Sequence, residues 1–155
     1  LLSNLPQATL PLGIGGTELG DYTIVDDSRA PIVHVQVIDE PTDESYEQYL
    51  TDVTAAFRGL DRFGMVFNSG ELGQLPARYR ARLSEWLSET EGEFKGRWLC
   101  AAFVIKSRMI RGVLSAIFWL NRPYYDVKVF GTEEEAWEWT RHQLEEAGVS
   151  VSLSA

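Results

Sequence analysis

Residues 97–120 read RWLCAAFVIKSRMIRGVLSAIFWL, two apolar blocks of different period separated by a polar turn. Residues 98–105 are an almost unbroken apolar run, short, flanked by charge and rich in β-formers. That is the pattern of a strand buried on both faces. A polar turn follows at Lys106, Ser107 and Arg108, and residues 109–120 then return to apolar side chains with helical spacing. A buried strand feeding a mostly buried helix is half of a parallel β-α-β unit. Lys106, Ser107, Arg108 and Arg111 sit where strand becomes helix, the position at which α/β folds place ligands, and are candidates for holding an anion.

Working outward, residues 22–26 and 31–38 read as two strands joined by a turn. In the second, Ile32, His34, Gln36 and Ile38 share one face and three valines the other. Thr42 or Asp43 caps a helix whose Tyr46, Tyr49, Leu50, Val53, Phe57 and Leu60 recur at three- and four-residue spacing, ending near Gly59. Residues 63–67 are a third strand with its exit at Asn68, Ser69 and Gly70. Residues 77–90 are a helix with Tyr79, Leu83, Trp86 and Leu87 inward and Arg78 and Arg82 on its polar side. Residues 126–130 alternate as a fifth strand, and Thr132 caps a last helix that stops at Gly148. The expected fold is a single α/β domain over residues 21–148, a mixed sheet of about five strands covered by about four helices. Residues 1–20, with glycines and leucines in no period, read as an extended or disordered arm, and residues 149–155 as a short polar tail.

Composition narrows the function. The 155 residues carry a formal net charge of −9, which argues against general binding to nucleic acid or an anionic membrane. The distribution is uneven: residues 76–122 hold nine bases against four acids, while both flanks are acidic. Those bases either form a basic patch or pair with acidic neighbours; pairing is the expectation. Within residues 21–148 the longest uncharged run, residues 112–121, is far short of the ~20 residues needed to cross a bilayer. No signal peptide is recognisable, and the single cysteine, Cys100, lies in the buried strand, so a reducing, cytoplasmic setting is expected.

No catalytic constellation stands out. His34 and His142 have no partners at ligand spacing, no nucleophile elbow or phosphate loop is present, and the acids at 133–135 suit a helix N-terminus. The glycines at 13–16 lack a preceding strand. Neither enzyme activity, nor a metal, nor a cofactor is expected.

The element order, the buried strand with its Leu99, Cys100, Ala101 and Ala102 core, the turn at 107–111, and the strand 127–130 followed by Thr132, three glutamates and Ala136 together resemble the STAS domain. The nearest likeness is to its SpoIIAA-like branch, over residues 22–147. The resemblance implies a non-catalytic, bacterial, regulatory protein-interaction module. It implies a partner-binding or phosphorylation site at Asn68, Ser69 and Gly70, with Arg78 and Arg82 on the following helix. Antagonists of this family carry a phosphorylated serine at that exit, preceded by an aspartate that this chain lacks. The alternative is a domain that holds an anionic small molecule or lipid at the Lys106–Arg111 turn, with residues 113–120 lining the pocket. Trp119, Tyr124 and Tyr125 are candidates for a homodimer surface.

Overall fold

The computed structural model describes residues 21–71 and 74–152, so the arm expected at 1–20 and the last three residues lie outside the described residues. In chain order the elements are β1 (Thr23–Asp26), β2 (Ile32–Val37), α1 (Asp43–Arg58), β3 (Phe63–Asn68), α2 (Ala77–Phe94), β4 (Trp98–Val104), α3 (Arg108–Leu120), β5 (Asp126–Phe130) and α4 (Glu133–Glu146). The strands form one sheet in the order β1-β2-β3-β4-β5. Only the β1–β2 pair is antiparallel; β2 through β5 run parallel. This is the α/β mixed sheet of five strands and four helices that the sequence predicts.

The topology places the layers. Three successive crossovers step across the sheet in one direction, and right-handed crossovers put their helices on one face. Val33, Val35 and Val37 of β2, Met65 of β3 and Ala101 of β4 accordingly meet Tyr46, Leu50, Val53 and Phe57 of α1 and Trp86 and Phe94 of α2. The opposite face, carrying Ile32, Val66, Cys100, Ala102 and Val104, is closed by Ala136 and Leu144 of α4. Successive residues of a strand face opposite ways, so strands buried on both sides need apolar runs without alternation. β4 is such a run. Its Trp98 is a hub, stacking on Tyr125 at 3.8 Å and meeting Phe57 at 4.7 Å and Trp86 at 6.0 Å.

Local signals fix the helix ends. Thr42 caps α1 in a reciprocal box with Ser45, and Thr132 caps α4 by accepting from the Glu135 amide. α2 runs past the expected stop at residue 90 because Gly92 does not break it. A helical glycine costs ~1 kcal/mol, whereas burying Phe94 completely contributes about 1.5–3 kcal/mol. α4 lies close to the sheet because Gly64 leaves a notch; a Cβ there would sit 2.8 Å from Thr140 Cγ2 and 2.9 Å from Cys100 Sγ. The tail is not simply polar: Val149 and Val151 pack against the α4 face.

One expectation is corrected. Residues 109–120 were expected as a mostly buried helix, yet α3 has no buried residue. The last crossover delivers α3 to the rim of the sheet, beside the edge strand β5. Only Ile110, Arg111, Leu114 and Phe118 turn inward, and Phe118 stacks on Phe103 at 5.5 Å. The residues read as pocket lining at 113–120 therefore face mostly outward. Tyr125 is buried and Tyr124 half-buried, so of the three aromatics read as a dimer surface only Trp119 is exposed.

Candidate functional site

The exit of β3 is tightly bound to its surroundings. Asn68 Oδ1 accepts from the Gly70 amide at 2.8 Å, forming the turn, and Gly70 adopts φ +65 with Val37 O in the space a Cβ would need. Ser69 Oγ donates to Val104 O at 3.1 Å. α2 begins only at Ala77, behind Pro76, which makes no side-chain cap. The helix N-terminus that would steady a phosphate is thus eight residues from Ser69 in sequence.

Asn68 also reveals a centre that the sequence did not disclose. Its Nδ2 donates to Glu133 Oε2 at 2.7 Å, His34 Nε2 bonds the same oxygen at 2.7 Å, and Trp137 Nε1 donates to Glu133 Oε1 at 2.9 Å. His34 stacks on Trp137, and the Arg29 guanidinium lies 3.7 Å from the centre of that ring. Burial works against ionisation of Glu133, but the three donors and the charge of His34 outweigh it and hold the carboxyl below its usual value. Trp137 is one helical turn from Glu133, but Asn68 and His34 are 65 and 99 residues away, and no local spacing links those two to it. The only advance sign was a strand with valines on one face and His34 and Gln36 on the other. The group ties α4 to the sheet. Ser69, the nearest hydroxyl in sequence, bonds the backbone rather than His34, so no nucleophile–base pair forms here.

Arg78 and Arg82 turn toward α1. Arg78 pairs with Asp43 at 3.2 Å and donates to the Tyr79 hydroxyl, which itself donates to Asp43. Arg82 bonds both Glu47 oxygens, at 2.7 and 3.2 Å, and reaches Glu85 and Glu89. An open cleft of about 280 Å³ between α1 and α2 is lined by Arg82 and Arg58, whose charges are met by Glu47 and Glu93. A wider one, about 680 Å³, runs between β1 and α1 along Tyr22, Ser45, Gln48 and Asp52, and contains none of the candidate residues.

The β4–α3 turn is similarly engaged. Lys106 pairs with Glu71, Ser107 caps α3 by accepting from the Ile110 amide, and Arg111 donates to the carbonyls of Ile105 and Lys106 at 2.7 and 2.9 Å. Arg108 and Arg122 make no hydrogen bond or ion pair with the described residues. The basic middle third is therefore largely paired, and its two unengaged arginines bracket α3.

Between those arginines lies the most unusual surface of the molecule. Met109 is 79% exposed, Val113 51%, Ile117 46%, Trp119 73% and Leu120 73%. With Gly112 and Ala116, also exposed, they make a continuous apolar arc facing solvent, on a helix without an acidic residue. Monomeric proteins rarely leave such an area uncovered.

Cys100 is buried, and burial first, then the charge of Asp126, pushes its thiol up to about 12, so it is inert. Among the described residues no group of three or more His, Cys, Asp or Glu could hold a metal ion, and no helix is long and apolar enough to cross a membrane.

Comparison with known proteins agrees with this architecture. No curated protein sequence matches the chain. An uncharacterised protein of the DUF3478 family with a SpoIIAA-like fold, from Shewanella loihica PV-4, is similar in structure: TM-score 0.55, 14% identity, covering 76% of this chain and 91% of that one. At that identity the likeness speaks for fold. The SpoIIAA-like family model matches residues 32–141, from the first residue of β2 into α4. With the five-stranded sheet, the three crossover helices on one face and α4 on the other, the chain belongs to the SpoIIAA-like family.

Proposed function

We propose that this protein is a non-catalytic interaction module that engages a partner protein through α3, acting in a regulatory role in the bacterial cytoplasm. One observation carries the reading: the outward apolar arc of Met109, Val113, Ile117, Trp119 and Leu120 in an otherwise acidic, well-paired molecule. A fold family that often serves as a regulatory protein-interaction module is consistent with it. The contact surface moves one crossover along from the Asn68–Gly70 exit, where side chains are already engaged. A phosphate on Ser69 would have to break the Ser69–Val104 bond, and the anion-holding alternative draws little support once Lys106 and Arg111 are engaged.

A photo-crosslinking amino acid at position 119, in cells of the native organism, tests the reading. The expected product is a protein adduct that disappears when Val113→Glu is added; an adduct insensitive to Val113→Glu, or none, overturns it. A second reading, contact with an anionic membrane surface, is favoured by Arg108, Arg122 and the lack of acids in α3. It requires flotation with phosphatidylserine vesicles that fails with neutral ones.

A further inference from the structure

We infer that the partner covering α3 is an amphipathic helix of another protein, apolar along one face and carrying a carboxylate near each end. This rests on α3 being the contact surface and adds the chemistry of what occupies it.

The charges around α3 select that chemistry. Residues 94–125 contain no Asp or Glu, in a chain that holds 23 of them. Of its 14 bases, all but Arg108 and Arg122 have a carboxylate, a carbonyl or an aromatic ring as partner among the described residues. The two unengaged cations therefore stand at the ends of the helix whose apolar side chains face water. The 13 residues of α3 hold them about 20 Å apart. An apolar occupant without acids would shade both guanidiniums from water and supply no countercharge. One with a carboxylate near each end pairs both. A second copy fails on this count, since its α3 brings further arginines and no acid.

The shape agrees. At about 100° per residue, Gly112 and Ala116 form one row along the exposed side, with Trp119 on one flank and Met109, Val113 and Leu120 on the other. A Cβ built on Gly112 meets no atom within 4 Å. The row is a shallow groove that admits a ridge of aliphatic side chains from another helix, and Trp119 is its aromatic wall. The net charge of −9 does not cancel the local attraction, because charges beyond about 8–10 Å are largely screened in physiological salt. It does count against an anionic bilayer, a far more extended surface, whose recognition takes a cluster of about four to eight bases.

The position-119 adduct provides the test. Tandem mass spectrometry of the adduct gives the cross-linked stretch of the partner. A synthetic peptide of that stretch is then mixed with the wild-type full chain in a stopped-flow instrument, with Trp119 emission as the signal. The stretch is expected to carry apolar residues at helical spacing and Asp or Glu at both ends. Arg108→Glu with Arg122→Glu should slow association about tenfold and flatten its salt dependence, since charges at the rim act on encounter. Arg108→Lys with Arg122→Lys should leave both near wild type, and a peptide whose terminal acids are replaced by lysine should again associate fast with the doubly reversed variant. A stretch lacking the acids, or an association rate indifferent to charge reversal, overturns the inference, as does an adduct made to lipid or to a second copy of this chain. If the adduct depends on Val113 while charge reversal changes nothing, the carboxylates are wrong and α3 remains the contact surface. If no adduct depends on Val113, both fall.

Discussion

α3 and α4 are near equals in length and opposite in composition, and they exchange the roles their compositions suggest. α4 reads EEEAWEWTRHQLEE and buries Ala136, Thr140 and Leu144 completely; α3 reads RMIRGVLSAIFWL and buries nothing. The difference lies in what each finds beneath it. α4 returns across the middle of the sheet, over Val66, Cys100 and Ala102, and three inward positions suffice to close that face. α3 sits at the rim, where the edge strand offers little surface. Apolar content states what a helix would gain by burial; topology decides whether the surface exists.

Substitutions can break that comparison. The largest effect belongs to Leu144→Ala, which empties a fully buried site and should cost about 2–5 kcal/mol in urea unfolding. Gly64→Ala fills the notch under α4 and should cost about 1–3 kcal/mol, measured in the same way. Glu133→Gln should cost about 1 kcal/mol at neutral pH. Bonds to charged groups contribute about 1.5–3 kcal/mol, but this side chain is 36% exposed and screened.

The sign of the pH effect follows from Glu133's folded value lying below the ordinary 4.5. Its contribution is complete above about 4.5 and fades as pH falls through the lower folded value. The gap between wild type and Glu133→Gln should therefore close in acid. Smallest is Ile117→Ala in α3, expected within about 0.5 kcal/mol of wild type in dilute solution. If it matched Leu144→Ala, α3 would be a core helix after all and the contrast would fail.

Most of the fold could be read from particular residues. The run at 98–105 announced a two-sided strand, Thr42 and Thr132 announced helix starts, and the three valines of β2 announced the face that α1 covers. The orientation of α3 could not be read, because its polar residues Arg108, Arg111 and Ser115 share one side and leave an apolar arc wider than the sheet rim can cover; only its place in the sheet decides which part of that arc is exposed. Arg78 and Arg82 were legible as polar-face residues but not as partners of Asp43 and Glu47, which belong to another helix. The Glu133 centre was hidden for the same reason: its three donors come from β2, the end of β3 and α4, and meet only when the sheet has assembled. Sequence spacing records neighbours along one element and is silent about contacts between elements.

The exposure of Trp119 gives the molecule an optical handle. Trp86 and Trp98 are enclosed among phenylalanine and tyrosine rings, and Trp137 and Trp139 on α4 are half-covered, whereas the indole of Trp119 stands in water. Iodide should therefore quench one emitter of the five ahead of the rest, and the quenchable fraction should fall whenever something settles on α3. The protein carries its own dye, placed on the face whose occupancy matters.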